Sequence, residues 1–266
     1  METTAIQQVS FVGAGNVAFN LAPAFFDAGI QVRHIVSRNQ IKAQKLAKRV
    51  NAVAADNLSE IDRYTDAVFF TLPDDAISDN TELLSKNVDF KGLMVHTSGS
   101  TPLDDLLKIT SKAGVFYPLQ TFNKNNFVEF NEIPVCIEGG DEGITRTLEN
   151  LARLISNDVR RISSAQRAVI HLGAVFASNF TNHLYARAFD ILKRSEVNPS
   201  ILLPLIRETA SRLSRGEPIQ LQTGPAVRGD VRIMKKHLSM LADDESGSEI
   251  YRLLSEHIQL LKERKA

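Results

Sequence analysis

The feature that most constrains the fold is a glycine-rich turn near the start of the chain. A short apolar run, Val9–Val12, leads into it, and a helical pattern follows directly. A G-x-G-x-x-A sequence between a strand and a helix is typical of dinucleotide-binding units, because the glycines allow a tight turn and a close approach of the pyrophosphate to the helix N-terminus. The alternative is a glycine-rich turn in an unrelated α/β domain. The predicted binding residues are Gly13, Ala14, Gly15, Asn16 and Val17.

The end of the second predicted strand, Gln31–Val36, indicates which dinucleotide is bound. NAD-specific folds place a carboxylate about 20 residues after the glycines, where it binds the ribose hydroxyls. Residues 28–55 contain no Asp or Glu, and Ser37 and Arg38 occupy the expected place. An arginine can grip a 2′-phosphate, which a carboxylate would repel. The sequence therefore predicts NADP(H), unless Arg38 only stacks on adenine or is solvated.

The order of apolar runs and turns predicts the fold class. About seven strands alternate with helices up to residue 162, which is the pattern of an α/β, Rossmann-type, doubly wound and mostly parallel sheet. From residue 163 onward the pattern is helical with short loops. We predict a dinucleotide-binding domain over residues 1–162 and an all-α substrate and dimerisation domain over residues 163–266.

Residues that follow the predicted strands are candidates for the ligand crevice, because ligands bind at the carboxyl ends of the strands in such sheets. Leu72 and Pro73 follow one strand and are predicted to border the cofactor. Ser98 and Gln120 follow the next two and are predicted to meet the substrate or the nicotinamide. Ordinary turn chemistry explains Ser98 about equally well.

The first helix of the C-terminal region predicts where the chemistry occurs. At 100° per residue, Arg167, His171, Ser178 and Asn182 fall within an arc of about 60°, and Asn179 lies about 80° from His171. The helix is apolar nearly all round, which predicts burial, and buried polar groups need hydrogen-bond partners. We predict that this polar seam faces the substrate and that His171 transfers a proton. The alternative is an internal polar network, or pairing across a homodimer.

The composition and a second motif limit the kinds of partner that the protein can have. The 31 basic residues balance 31 acidic ones, which argues against nucleic acid, and the single cysteine, Cys136, fits a cytoplasmic protein. No apolar stretch reaches the ~18 residues of a membrane span, the N-terminus has no signal-peptide pattern, and no metal site is predicted. Arg228, after the Gly-Pro turn, could anchor a substrate carboxylate or phosphate, or it could form a surface ion pair with Asp230.

Several stretches resemble a known group of proteins. The opening turn is similar to that of the 6-phosphogluconate and β-hydroxyacid dehydrogenase superfamily, which includes pyrroline-5-carboxylate reductase. One branch is resembled more particularly at His96–Ser100, Tyr117–Phe122, His171–Tyr185 and Gln222–Ala226. That branch contains bacterial Rossmann-like proteins with a C-terminal helical domain of unknown function, often given the provisional label of NADP oxidoreductase.

The resemblance implies hydride transfer at the junction of a Rossmann domain and a helical domain that commonly dimerises. The dehydrogenases carry a catalytic lysine on the long interdomain helix, whereas this helix has no lysine before Lys193. His171 would take its place, or the protein would position an imine and draw a proton from water or a hydroxyl. The positions that match dinucleotide contacts in such enzymes are Asn16, Val17, Arg38, Leu72 and Pro73.

Two functions therefore follow from the sequence. The first is an NADP(H)-dependent oxidoreductase acting on a small, anionic substrate in the cleft between the two predicted domains. The second is a non-catalytic NADP-binding protein whose helical domain docks a partner according to redox state, and the missing lysine favours it somewhat.

Overall fold

The computed structural model describes residues 5–124 and 128–263. Within these residues eight strands form one sheet, in which β7 pairs antiparallel to β6 and β8 pairs parallel to β7. The strands are β1 Gln8–Val12, β2 Gln31–Val36, β3 Val53–Ala55, β4 Ala67–Phe70, β5 Leu93–His96, β6 Ala113–Pro118, β7 Val135–Gly139 and β8 Val159–Arg161. The predicted Rossmann-type α/β fold, with a mostly parallel sheet and a helical C-terminal region, is confirmed.

The helices alternate with the strands up to β8 and then follow one another. They are α1 Asn16–Asp27, α2 Gln40–Arg49, α3 Asp74–Val88, α4 Leu103–Leu107, α5 Glu142–Arg153, α6 Ser164–Ala174, α7 Thr181–Arg194, α8 Leu203–Ser211, α9 Pro225–Arg228, α10 Val231–Met240 and α11 Glu245–Glu263. A π-helical segment, Val175–Phe180, separates α6 from α7. None of these described helices is long and apolar enough to cross a membrane.

The strand order is β3-β2-β1-β4-β5-β6-β7-β8, so the order reverses between β1 and β4. Ligands of doubly wound sheets bind in the crevice that opens at such a reversal, outside the carboxyl ends of the strands. The Gly13 turn follows β1 and Thr71 follows β4, and both therefore lie at this crevice. The sequence pattern does not predict β3, which has three residues and forms one edge of the sheet.

The sheet is covered on both faces, and alternate residues of its central strands enter different cores. Phe11 and Phe69 pack with Phe25 and Phe116 on one face, with ring centroids 5.2–6.2 Å apart. Val68 and Phe70, the other residues of β4, are buried in the opposite core. Burial on both faces explains why β4 is apolar throughout.

The backbone contacts divide the chain into a first compact unit that ends at Asn179 and a second that begins at Phe180. The sequence places the change at residue 162, where the composition becomes helical. Residues 163–179 are helical, yet they belong to the compact unit that contains the sheet. The predicted domain bounds, 1–162 and 163–266, remain a prediction about the functional division of the chain.

The second unit is held by polar contacts of its own. Arg187 and Arg194 both form ion pairs with Asp244, which also accepts a hydrogen bond from the backbone N–H of Gly247. The Arg187 hydrogen bond, followed by that from Gly247, lowers the pKa of Asp244 to about 2. His237 pairs with the Tyr251 hydroxyl at 2.9 Å. These contacts connect α7, α10 and α11 within the unit.

Candidate active site

The turn after β1 has a backbone that only glycine tolerates well at its first position. Gly13 has φ +109°, and a Cβ atom there would lie 2.5 Å from the carbonyl oxygen of Thr71. The Thr71 hydroxyl donates to the carbonyl oxygens of Val12 and Gly13, each at 3.2 Å. The turn is therefore fixed against the end of β4, and the same contact holds Leu72 and Pro73 at the crevice.

The N-terminus of α1 presents its backbone N–H groups to solvent. Gly15 precedes the helix and supplies no side-chain cap, and the first turn holds no acidic residue. Gly15 and Asn16 are exposed, whereas Ala14 is buried and Val17 half-buried. A Cβ atom on Gly15 would meet no protein atom closer than 3.9 Å. Uncapped N–H groups and the helix dipole favour an anion at this place.

The turn after β2 presents a free guanidinium. Ser37 donates its N–H to Ala55 at 3.0 Å, and its hydroxyl oxygen accepts the N–H of Asn39 at 3.2 Å. Asn39 in turn caps α2 by accepting the N–H of Lys42. Arg38 is exposed, and its guanidinium has no hydrogen-bond or ion-pair partner among the described residues. The structure therefore leaves Arg38 available for an anion.

The loop after β5 is built around Ser98, which is 7% exposed. The Ser98 hydroxyl oxygen accepts the N–H groups of Ser100 and Thr101, at 3.1 and 2.9 Å. The Ser98 N–H donates to Nδ1 of His96 at 3.1 Å. The Ser100 hydroxyl donates to the Asp74 carboxylate at the start of α3. These bonds fix the loop, and the predicted substrate contact of Ser98 stays a prediction.

A fully buried histidine, His96, accepts a hydrogen bond from this loop. His96 is inaccessible to solvent, and its Nε2 has no hydrogen-bond partner in the described part of the chain. Burial, followed by the positive charge of Arg167, lowers the pKa of His96 to about 3. The ring is therefore neutral at physiological pH, and because Nδ1 accepts the Ser98 N–H, Nε2 carries the hydrogen.

A buried ion pair joins α6 to the sheet and to the Ser98 loop. Arg167, 1% exposed, donates to the Glu138 carboxylate and to the carbonyl oxygen of Thr101, each at 2.6 Å. Ser164 donates both its N–H and its hydroxyl to the same carboxylate. The Ser164 hydroxyl oxygen also accepts the N–H of Leu103 at 2.9 Å. Arg167 therefore holds α6 in place, rather than pointing to a ligand.

One turn after Arg167, His171 meets a tyrosine of the sheet. Nδ1 of His171 lies 3.2 Å from the Tyr117 hydroxyl, and the rings meet edge to face. Both side chains are half-buried. Burial raises the pKa of Tyr117 above its usual value, so the phenol stays protonated at neutral pH. A Cβ atom on Gly99 would lie 2.6 Å from this Nδ1, which places the pair against the Ser98 loop.

A second contact from the same helical segment reaches the strand-β6 loop. The Ser178 hydroxyl lies 2.7 Å from that of Thr121. Gln120, beside Thr121, is exposed and accepts the Thr121 N–H through its own side chain at 2.8 Å. The loop is also tied to α1, because Asn16 accepts the N–H of Lys124 at 3.3 Å. The loop therefore contacts both the helical segment and α1, the helix at whose N-terminus phosphate binding is predicted.

The predicted burial of the long helix is wrong for much of its surface. Within α6, Val169 is 70% exposed and Leu172 58% exposed. The helix buries Arg167 and half-buries His171 and Ser178 against the sheet, while its apolar side stays open in the single chain. Polar residues of this helix face the protein and apolar residues are exposed, which is the reverse of what the composition predicts.

The remaining predicted residues are not brought to this cluster by any described contact. Asn179 is exposed within the π-helical segment. Asn182 and Arg228 are exposed and belong to the second unit, so their catalytic and substrate-anchoring roles stay predictions. The π-helical turn also breaks the uniform 100° spacing from which the arc containing Asn182 was drawn.

Sequence reasoning missed several residues of the cluster. Tyr117, Gly99 and Thr121 contact His171 or Ser178 directly. Glu138 pairs with Arg167, which the helical arc included without assigning it a role. Tyr117 and Gly99 stand in the motifs that carry the family resemblance, and that position was the only signal that could have singled them out.

Comparisons with known proteins identify the family of this chain. Residues 8–95 match the family described as NADP oxidoreductase, coenzyme F420-dependent, and residues 133–258 match the domain of unknown function DUF2520. The "putative NADP oxidoreductase BF3122 from Bacteroides fragilis" is 39% identical, with TM-score 0.91, over 95% of this chain and 98% of that one. The chain belongs to the same family as this Bacteroides fragilis protein. The predicted resemblance is thereby confirmed.

More distant solved structures share the fold. Protein TM1727 from Thermotoga maritima is 22% identical, with TM-score 0.71, over 97% of this chain and 99% of that one. The reductive aminase from Aspergillus terreus, solved in complex with NADPH and ethyl-5-oxohexanoate, is 11% identical, with TM-score 0.69, over 99% of this chain and 100% of that one. No curated protein matches the chain.

Proposed function

We propose that this protein is an NADP(H)-dependent oxidoreductase that transfers hydride to or from a small, anionic substrate at the carboxyl edge of its sheet. Family membership supports the class of enzyme and the cofactor. The observation that carries the cofactor choice is the free guanidinium of Arg38, beyond the uncapped N-terminus of α1. The pyrophosphate would lie on that helix N-terminus, and the 2′-phosphate would lie between Ser37 and Arg38.

The chemistry belongs to the cofactor, and the protein orients the reactants and moves a proton. In the direction of reduction, bound NADPH would supply the hydride that adds to the carbon of a C=O or C=N bond. The π electrons of that bond move to the oxygen or nitrogen, which takes up a proton. His171, half-buried beside Tyr117 and the Ser98 loop, is the residue that we propose for the proton.

Further residues complete the proposal. Ser98 and Gln120 on the sheet, with Ser178, Asn179 and Asn182 on the helical segment, would contact the substrate. Arg228 would anchor its anionic group by a charge-assisted hydrogen bond. Two copies of the chain would form a homodimer. The exposed apolar residues Val169 and Leu172 support a partner surface on α6.

The cofactor assignment is tested by the stabilisation that each dinucleotide produces. A ligand that binds the folded state raises the melting temperature according to its affinity. NADPH should raise the Tm more than NADH at equal concentration. Arg38→Ala should weaken the binding of NADPH about tenfold and leave the affinity for NADH unchanged. Lys48→Ala, which removes the same charge from the exposed surface of α2, is the control. Equal stabilisation of the native protein by the two dinucleotides would refute the role of Arg38.

The catalytic assignment is tested with His171→Ala. NADPH oxidation would be followed with a panel of small keto acids and cyclic imines. The variant should lose turnover by about 100-fold or more and retain NADPH affinity. Turnover equal to that of the native protein would exclude His171 as the proton donor. NADPH binding without turnover on any substrate of the panel would favour the non-catalytic alternative.

A further inference from the structure

The contact between Tyr117 and His171 defines the state of the histidine ring. In the described part of the chain, Nδ1 of His171 and the Tyr117 hydroxyl have no hydrogen-bond partner other than each other, at 3.2 Å. One of the two groups must donate. If Nδ1 donated, the phenol proton of a half-buried tyrosine would lack a protein acceptor. If the phenol donates, both groups are satisfied, and the ring hydrogen lies on Nε2.

We propose that Tyr117 is a positioning residue for His171. Its hydroxyl donates to Nδ1 and so keeps the hydrogen of the neutral ring on Nε2. When Nε2 gives up that hydrogen, the Tyr117 hydroxyl passes its own proton to Nδ1. The proposal rests on the proposed function for what Nε2 serves, which is the oxygen or nitrogen of a carbonyl or imine substrate. The tautomer itself follows from the geometry alone.

In the direction of reduction, the Nε2 hydrogen of His171 moves to the substrate heteroatom as the hydride reaches carbon. The Tyr117 proton moves to Nδ1 at the same time, so the ring stays neutral with its hydrogen now on the other nitrogen. Nε2 then takes up a proton from water and Nδ1 returns its hydrogen to the Tyr117 phenolate, which restores the tautomer with the hydrogen on Nε2. One hydride and one proton enter the substrate, and the imidazole never has to become an anion.

Gly99 makes room for this pair. A Cβ atom at this position would lie 2.6 Å from Nδ1 of His171 and 3.0 Å from Cζ of Tyr117, closer than packed atoms allow. The loop that carries Gly99 is fixed by the Ser98 hydrogen bonds and cannot retreat cheaply. A methyl group on residue 99 would therefore separate the phenol from the ring. Gly173, on the same helix as His171, has open space at the corresponding atom.

The tautomer is tested on the protein without cofactor or substrate. Long-range ¹H–¹⁵N NMR of histidine-labelled protein distinguishes the two neutral tautomers, and the His171→Gln spectrum assigns the signal among the six histidines. The native protein and Gly173→Ala should show His171 with its hydrogen on Nε2. Tyr117→Phe and Gly99→Ala should show a mixture of tautomers. A hydrogen on Nδ1 in the native protein, or an unchanged signal in Tyr117→Phe, would overturn the proposal.

The second readout is turnover with whichever substrate of the keto acid and imine panel is accepted. Tyr117→Phe should lower kcat about 100-fold and leave the KM for NADPH within about twofold. Combined with His171→Gln it should cost no more than His171→Gln alone, because the two residues act as one unit. Additive losses would refute the relay. A native protein with the Nε2 tautomer but no turnover would leave the tautomer standing and refute the proposed function.

Discussion

The two halves of the candidate site are held in different ways. The cofactor half, from the Gly13 turn to Arg38, is held by backbone conformation and by hydrogen bonds at the ends of neighbouring strands. The proton half is held by side chains far apart in the chain: Tyr117 and His171 are 54 residues apart, and Arg167 and Thr101 are 66 apart. A local sequence pattern can specify the first half, whereas only the packed fold can bring the second together.

The two halves also differ in what they leave open. The cofactor half presents an uncapped helix end and, among the described residues, a guanidinium without a partner. The proton half satisfies most of its own polar atoms through Arg167, Ser98 and Tyr117. Substitution of the exposed Arg38 should therefore harm binding, whereas substitution at the tightly packed Gly13 turn or at the buried Arg167 should harm the folded state.

The largest effect is expected where the cofactor half depends on the fold, at Gly13. Gly13→Ala would force a positive φ on alanine and drive its Cβ against the Thr71 carbonyl, which should lower the free energy of unfolding by at least about 3 kcal/mol. Gly15→Ala is the matched control, since its Cβ meets no close protein atom. In urea unfolding it should behave like the native protein and lose NADPH affinity only. Equal stability of the two variants would break the comparison.

The next effect is expected in the proton half, at Arg167. Arg167→Ala would take the ionic partner from the Glu138 carboxylate and the donor from the Thr101 carbonyl, which should lower the free energy of unfolding by about 3 kcal/mol. Arg146→Ala removes an exposed ion pair with Glu142 and should change it by less than about 1 kcal/mol. Urea midpoints measure both. A loss as small as that of Arg146→Ala would show that the buried pair does not hold α6.

A pH-dependent effect is expected from His96. Its pKa is about 3 in the folded protein, against about 6.5 for an unfolded histidine, so between these values the unfolded chain binds a proton that the folded chain does not. The stabilisation is complete above about pH 6.5 and is lost as the pH falls toward 3. His96→Asn keeps an acceptor for the Ser98 N–H without the titration. Between pH 7 and 5 the native protein should lose about 1–2 kcal/mol more than this variant, as read from urea midpoints. Parallel losses would contradict the assignment.

The smallest effect is expected at Ser178. Its contact with Thr121 is a single hydroxyl pair at the edge of the site, so Ser178→Ala should change the free energy of unfolding by about 1 kcal/mol or less. If Ser178 also contacts the substrate, Ser178→Ala should lower kcat clearly even though it hardly changes the free energy of unfolding. A loss of stability as large as that of Arg167→Ala would mean that the two halves are held together here, and not through Arg167.

The fold was largely predictable because its signals are local. Short runs bounded by turn residues predicted seven of the eight strands, and β3 was the one that they did not predict. The helix that carries His171 was also marked, yet its burial was misjudged, since periodicity shows which residues share a face and not what covers that face. Val169 and Leu172 are the evidence.

Within the site, the same distinction holds residue by residue. Gly13 and Arg38 could be singled out because a tight turn and an acid-free strand end have meaning without knowledge of the neighbours. Tyr117 could not, because its role depends on His171 lying 3.2 Å away across the packed helix. A tyrosine in a strand predicts only a half-buried ring.

The order of residues in this chain is enough to specify a dinucleotide-binding turn, the absence of a carboxylate beside it and a helical C-terminal region, since each depends on neighbours a few residues away. The packing of α6 on the sheet decides which side chain donates to which. It buries Arg167 with Glu138, lets Arg167 donate to the Thr101 carbonyl, and sets Tyr117 and Gly99 against His171. Those contacts join segments separated by tens of residues, and they exist only when a common core holds the segments together.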